Sequence, residues 1–132
     1  MSVLPFVAPT IMALLGILHL IYTVYDFGAK PRYFNPQHKL LLNEMRQART
    51  ALAPSGRDYW SGVLGFHLSH SLGLLQFALL INLATIHQLM WLKSVLVIFG
   101  IFYVAISHRC WFRTPTIGVG LATLLMIIGW TL

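Results

Sequence analysis

Residues 60–84 read WSGVLGFHLSHSLGLLQFALLINLA, a run that contains no Asp, Glu, Lys or Arg. A helix of about 20 apolar residues is long enough to cross the hydrocarbon core of a bilayer. Inside the run, residues 65–73 (GFHLSHSLG) hold two histidines, two serines and two glycines. The run therefore predicts a membrane-spanning helix whose histidines either bind a ligand or pack against another helix.

The whole chain shares this apolar character. It has 132 residues, of which 58% are hydrophobic and 9% charged, and its mean hydropathy is +0.75. Charged residues make up roughly a quarter of a soluble domain. We therefore predict an integral membrane protein that forms a single membrane domain over residues 1–132. Cys110 is the only cysteine, which excludes an internal disulfide and a dithiol redox motif.

Four apolar segments are predicted to span the membrane, at about residues 4–27, 60–84, 89–108 and 116–132. Lipid offers no partner to backbone polar groups, so such segments form helices. The predicted fold is all-α, an integral membrane four-helix bundle. The first residues, MSVLPFVAPTIMALLG, have no basic region and no small-residue cleavage site, so we expect a retained helix instead of a signal peptide.

Lysine and arginine predict the orientation. They are concentrated in the loop between the first two spans: Lys30, Arg32, Lys39, Arg46, Arg49 and Arg57. Arg109 and Arg113 follow the third span, whereas the connection between the second and third spans has only Lys93. The positive-inside rule makes the first loop of this multi-pass protein cytoplasmic and places both termini outside. The net charge of +6 is then explained by topology and anionic lipid headgroups, and no nucleic-acid partner is expected.

The first loop is predicted to contain an amphipathic helix over residues 36–53, at the membrane interface between spans 1 and 2. Asn35-Pro36 is a good helix start, and Leu41, Met45, Ala48 and Leu52 recur at helical spacing. Such a helix lies on the inner leaflet.

Glu44 lies beside the apolar face of this helix and has no basic residue three or four positions away. We expect it to form a salt bridge with Arg109 or Arg113, or to take part in a site.

Small and polar residues predict which helix faces pack. In the second span, Ser61, Gly65, Ser69 and Gly73 repeat every four residues, a pattern that lets helices approach closely. The leucines expected to face lipid are Leu64, Leu68, Leu72 and Leu75. The packing positions predicted in the other spans are Gly16, His19, Thr23 and Asp26 in the first, Gly100, Tyr103 and Ser107 in the third, and Gly118, Ala122 and Gly129 in the fourth.

The depth of each polar group in the membrane predicts which other polar groups it can contact. With a rise of 1.5 Å per residue, His19 lies about 12 Å, His67 about 10 Å and His70 about 15 Å from the cytoplasmic boundary. The three histidines therefore share one layer. The groups between that layer and the cytoplasm are Tyr22, Asp26, His108 and Glu44. Together they predict a cytoplasm-facing pocket under the amphipathic helix.

A metal ion is the leading predicted occupant of this pocket. His19, His67 and His70 are the expected ligands, with His108 as a further one, and the donor set suits zinc or iron. The predicted catalytic groups are Tyr22, Asp26 and Glu44, for redox or lipid chemistry on a hydrophobic small-molecule substrate. Haem b is the alternative occupant of the pocket. It needs one histidine on each of two facing helices, which leaves one histidine unused.

Two alternatives remain open. In the first, the chain is a non-enzymatic subunit whose small-residue faces dock partner helices or further copies of itself, and the histidines only form interhelical hydrogen bonds. In the second, the four spans, the basic first loop and the outward termini resemble the layout of the membrane-bound glutathione transferase family (MAPEG). That resemblance implies a transferase, but the second span has no Arg, Asp or Glu between Trp60 and Ile81, so no residue roles carry over.

The predicted orientation is testable with reporters. A topology reporter fused after Leu132 should be active only outside the cytoplasm. In a Cys110→Ser background, a cysteine at position 57 should react with a membrane-impermeant reagent only from the cytoplasmic side. A C-terminus that reports from the cytoplasm would overturn both the orientation and the depth estimate.

Overall fold

A computed structural model describes residues 3–51 and 54–131. In chain order it contains α1 (Leu4–Asp26), α2 (Lys39–Gln47), α3 (Tyr59–Ile86), α4 (Met90–Cys110) and α5 (Arg113–Thr131). The four long helices α1, α3, α4 and α5 are each long and apolar enough to cross a membrane. The predicted all-α fold is confirmed, and each of the four predicted segments coincides with one of these helices to within a few residues.

The start of α3 is stabilised by Asp58. The backbone N–H of Ser61 donates to Oδ1 of Asp58 at 2.9 Å, and the Ser61 hydroxyl donates to Oδ2 at 2.8 Å. A carboxylate that accepts from the first turn satisfies N–H groups that have no partner within the helix. These hydrogen bonds from Ser61, assisted by the charge of Arg49, lower the pKa of the Asp58 carboxyl, so this side chain is ionised at neutral pH.

The chain divides into two compact units. The first comprises residues 1–17 and 73–132, and the second comprises residues 18–72. The predicted single membrane domain stays a prediction.

The first unit has an apolar core to which all four long helices contribute. Its largest fully buried apolar side chains are Met12 from α1, Ile81 from α3, Leu96 from α4, and Val119 and Met126 from α5. Because all four helices bury side chains in the same core, their packing defines this unit.

Glycines allow the close approaches within the first unit. A Cβ on Gly100 would lie 2.9 Å from Cγ2 of Thr123, and one on Gly118 would lie 2.9 Å from Cδ1 of Leu15. Ala122 is likewise buried, with 1% of its surface exposed. The predicted packing roles of these positions in the third and fourth spans are confirmed.

The first turn of α4 holds a buried cation. Lys93 is 9% exposed, donates to Oε1 of Gln88 at 2.7 Å, and lies 5.8 Å from the ring centroid of Trp130. The indole N–H of Trp130 in turn donates to the Thr85 hydroxyl at 2.9 Å. The ammonium group is therefore stabilised by an amide oxygen and an aromatic face.

The predicted rotation of α3 is wrong over the first half of the helix, although Leu72 is exposed as predicted. Leu64, expected to face lipid, is 2% exposed, whereas Ser69 is exposed and a Cβ on Gly65 would meet nothing within 4 Å. The buried positions instead recur at intervals of three, four or seven residues, through Leu64, Ser71, Leu74, Ala78 and Ile81. Apolar side chains lie on all sides of this helix, so hydrophobicity gave no direction. Small residues fit a packed face and an open face equally well.

The helix predicted over residues 36–53 is shorter, and it begins at Lys39. The Asn35-Pro36 pair does not cap it because the preceding residues are held elsewhere: Asp26 binds the backbone of residues 32–34. The helix ends at Gln47, since Ala48 is extended and its carbonyl accepts the N–H of Tyr59 at 3.0 Å.

The amphipathic role of α2 stays a prediction. None of its residues is buried, and Leu40 and Leu41 are 78% and 45% exposed. Leu52, part of the predicted apolar face, lies outside the described residues.

Packing at the glycines is testable by comparing two alanine substitutions. Gly100→Ala should lower the unfolding free energy by about 1–3 kcal/mol, because the new methyl meets Thr123, whose branched side chain is stiff. Gly65→Ala, which meets nothing within 4 Å, should leave stability unchanged or slightly raised. Thermal or denaturant unfolding in detergent measures both; equal losses at the two positions would contradict the observed rotation of α3.

Candidate functional site

Two histidines from different helices meet in the second unit. Nε2 of His19, on α1, lies 3.0 Å from Nδ1 of His67, on α3, and both side chains are half-buried. A neutral imidazole has one N–H donor and one acceptor nitrogen. At this distance one ring donates its proton to the other, so the pair is a direct hydrogen bond between two helices.

His70 lies beside this pair. Its ring centroid is 5.2 Å from that of His19, in an edge-on arrangement, while the centroids of His19 and His67 are 5.1 Å apart. His67 and His70 are three residues apart and so share one side of α3. The three imidazoles placed in one layer by the depth estimate are thus neighbours in space. We call His19, His67 and His70 the histidine site.

Hydroxyl groups satisfy the backbone around the histidine site. The Thr23 hydroxyl donates to the carbonyl of His19 at 2.8 Å, and the Ser71 hydroxyl donates to the carbonyl of His67 at 2.9 Å. Each hydroxyl lies four residues after the histidine whose carbonyl it binds, and each is fully buried. Since these hydroxyls are satisfied within their own helices, they leave the imidazoles as the polar groups that face one another.

An aromatic side chain from the loop after α1 covers the pair. The ring of Phe34 stacks on His67 with centroids 4.1 Å apart and planes at 16°, and its centroid lies 4.8 Å from that of His19. Sequence reasoning missed this residue, because nothing in a loop phenylalanine shows that its ring returns to a spanning helix. Phe34 therefore forms one apolar wall of the histidine site.

Asp26, the last residue of α1, holds that loop in place. Its carboxylate accepts the backbone N–H groups of Arg32 at 2.7 Å, Tyr33 at 3.0 Å and Phe34 at 2.6 Å, and it is 0% exposed. Charge-assisted bonds from backbone N–H groups offset the cost of burying a carboxylate. In this structure Asp26 positions Phe34, and its predicted catalytic role stays a prediction.

The other predicted site residues lie elsewhere. Tyr22 stacks on Tyr33 with centroids 4.3 Å apart and is 36% exposed. Glu44 is exposed on α2, and His108 is exposed on α4 in the first unit. The roles predicted for these residues stay predictions. Over residues 3–51 and 54–131, no three His, Cys, Asp or Glu side chains are already arranged to hold a metal ion.

The spacing of the imidazole nitrogens can be compared with the spacing that each predicted occupant requires. Metal–nitrogen bonds are about 2.0–2.1 Å long, so two neighbouring ligands of a tetrahedral ion have nitrogens about 3.3–3.4 Å apart. Two ligands on opposite sides of a haem iron would be about 4 Å apart with the porphyrin between them. The observed 3.0 Å is close to the first spacing and leaves no room for a porphyrin between the rings.

No family model, no curated protein and no solved structure matches the chain. The resemblance to the layout of the membrane-bound glutathione transferases therefore rests on the four predicted spans, the basic first loop and the predicted outward termini alone.

The loop anchor is testable through Asp26→Asn. The amide keeps one acceptor oxygen but sets an NH₂ group against backbone N–H donors, which should cost about 1–3 kcal/mol. Hydrogen exchange at the amides of residues 32–34 should become faster by roughly tenfold or more. Glu44→Gln removes the same charge from an exposed position and should leave this exchange unchanged; unchanged exchange in Asp26→Asn would show that the carboxylate does not hold the loop.

Proposed function

We propose that this chain is a multi-pass membrane protein that binds a transition-metal ion, zinc or iron, at His19, His67 and His70. The observation that carries the proposal is the 3.0 Å separation of the His19 and His67 ring nitrogens, with the His70 ring alongside. Imidazole is a common ligand of both metals.

Binding requires a small rearrangement of the histidine site. A metal would be held by the two facing ring nitrogens of His19 and His67 in place of their hydrogen bond, and the donating ring would carry its proton on its other nitrogen. These two nitrogens would separate by a few tenths of an ångström, and His70 would supply the third nitrogen from a turned ring. Three protein nitrogens leave a fourth position open, which is the arrangement of catalytic and not structural zinc sites.

The chemistry follows from the metal and its surroundings. Iron with an open position supports redox chemistry, and zinc polarises a bound oxygen as a Lewis acid. The Phe34 ring over the imidazoles gives the site an apolar wall that suits a hydrophobic substrate such as a lipid. Tyr22, Asp26, Glu44 and His108 remain candidates for proton transfer or outer contacts. Haem b is the less favourable occupant because it needs the imidazoles farther apart.

Metal analysis of purified variants tests the proposal. Protein from metal-replete cells should carry about one metal ion per chain. His19→Ala, His67→Ala and His70→Ala should each lower the metal content at least about tenfold, and the triple variant should be no worse than the singles, since one missing ligand already removes most of the affinity. His87→Ala, in the exposed turn after α3, is the matched control and should keep its metal.

His67→Gln separates metal binding from hydrogen bonding. Glutamine still hydrogen-bonds across helices but is a poor metal ligand, so metal should be lost while the protein stays folded by circular dichroism. A wild-type protein that takes up neither zinc nor iron, or a His67→Gln variant that keeps its metal, would contradict the proposal.

A second candidate function is that of a non-enzymatic subunit, and one observation favours it. Gly62, Gly65 and Ser69 form a small-residue face on α3 that is exposed in this chain, and a Cβ added to either glycine would meet no atom within 4 Å. Small faces of this kind dock partner helices in membranes. Gly65→Leu should then abolish an assembly seen by cross-linking while leaving the isolated chain folded; retained assembly would count against this function.

A further inference from the structure

A cavity of about 340 Å³ lies in the second unit, where α1 ends and α3 begins. This volume falls in the range of small-ligand sites. Its walls come from three places: Phe27 after α1, Arg46 on α2, and Asp58, Trp60 and Leu64 at the start of α3. The cavity is thus built from the loop and helix ends and does not include the histidine site.

Two opposite charges line this cavity. Arg46 contributes a guanidinium group, whose fork of N–H donors matches the oxygens of a phosphate. Asp58 contributes a carboxylate whose orientation is fixed by the two hydrogen bonds from Ser61 at 2.9 and 2.8 Å. Each oxygen of Asp58 accepts one of these bonds and keeps a further lone pair for a cation.

Aromatic and apolar groups complete the walls. Trp60 and Leu64 are 4% and 2% exposed, so they are fixed by packing, and Phe27 lies on the α1 side. Trp60 and Asp58 line the same cavity, and aromatic rings attract ammonium groups through cation–π attraction. The lining of the cavity therefore offers one group that suits an anion and another that suits a cation.

The position of the cavity along the spans indicates where its ligand resides. Phe27 and Trp60 mark the ends of two apolar helices, and aromatic residues at such ends lie at the level of the lipid headgroups. Charged groups of lipids occupy the same layer.

We infer that this cavity binds a phosphate ester that carries an ammonium group, as in a zwitterionic phospholipid headgroup. Arg46 binds the phosphate, and Asp58 with Trp60 binds the ammonium group. Asp58 sets the selectivity, because an anionic lipid offers the carboxylate no cation and repels it. This inference does not depend on the metal at the histidine site.

Calorimetric titration of the full chain in a nonionic detergent tests the inference with three probes. These are short-chain phosphatidylethanolamine, phosphatidylglycerol of the same chain length, and free phosphoethanolamine. Phosphatidylethanolamine should bind at least about tenfold more tightly than phosphatidylglycerol, the scale of one charge-assisted contact. Equal or tighter binding of phosphatidylglycerol would overturn the inference, and so would the absence of binding by both ammonium-bearing probes.

Two substitutions test which charged residue binds which part of the ligand. Arg46→Gln should weaken phosphatidylethanolamine binding about tenfold or more. Asp58→Asn should do the same and also reduce the preference over phosphatidylglycerol, while asparagine still caps α3 and so preserves the helix. Arg57→Gln is the matched control, an exposed arginine outside the cavity, and should change binding less than about twofold. An Arg46→Gln protein that binds like wild type would exclude Arg46 as the phosphate site and overturn the inference.

The same titrations identify the source of the headgroup. Tighter binding of the lipid than of free phosphoethanolamine supports a membrane lipid as the ligand, and equal binding supports the soluble compound. Both results support binding of a phosphate ester that carries an ammonium group. A His67→Gln protein should bind phosphatidylethanolamine like wild type, so failure of the metal proposal is distinguishable from failure of this one.

Discussion

Inside a bilayer there is no water to satisfy a polar group, so each donor and acceptor in a spanning helix needs a partner in the protein. The second unit meets this requirement at successive levels. The hydroxyls of Thr23 and Ser71 bind carbonyls of their own helices, and the imidazoles of His19 and His67 bind each other. Lower along α1, the buried carboxylate of Asp26 binds backbone N–H groups of the loop that follows.

This requirement also explains why the loop after α1 is ordered around the histidines. A carboxylate buried at the end of a span is stable only if several donors reach it, and the donors nearest in the chain are the amides of residues 32–34. Satisfying Asp26 brings Phe34 onto His67 and Tyr33 onto Tyr22. Because these contacts hold the residues just before it, the Asn35-Pro36 pair does not start a helix, and α2 begins only at Lys39. A single buried charge thus organises the loop, the cover of the histidine site and the beginning of the next helix.

The two proposed sites differ in their position along the helices and in the chemistry of their proposed ligands. The histidine site lies between α1 and α3, two helices that are long and apolar enough to span a membrane, and a bound metal would take the place of the hydrogen bond between two imidazoles. The cavity beside Asp58 lies at the helix ends, where ionised groups keep their charge and a ligand with two opposite charges finds a complementary partner for each. A chain that contains only nine basic and three acidic residues places Arg46 and Asp58 around one cavity, which is the feature that sets this cavity apart from a merely basic membrane surface.

Apolar length and composition alone determined the number of long helices, their approximate bounds and the all-α fold, because lipid permits few other forms for such segments. Helical spacing and rise also sufficed to predict that Gly16, Thr23 and Asp26 face protein, and that the three histidines are neighbours. The rotation of α3 was decided only by tertiary packing. The apolar side chains of this helix lie on all its sides and so give no direction, and Gly65 and Ser69 are compatible with either face. The place of Phe34, the short α2 and the cavity at Arg46 and Asp58 likewise depend on contacts between residues distant in the chain. Those contacts depend on which backbone N–H groups reach the buried carboxylate and on how side chains pack in space. The local pattern of residues determines neither the hydrogen-bond partners nor the packing.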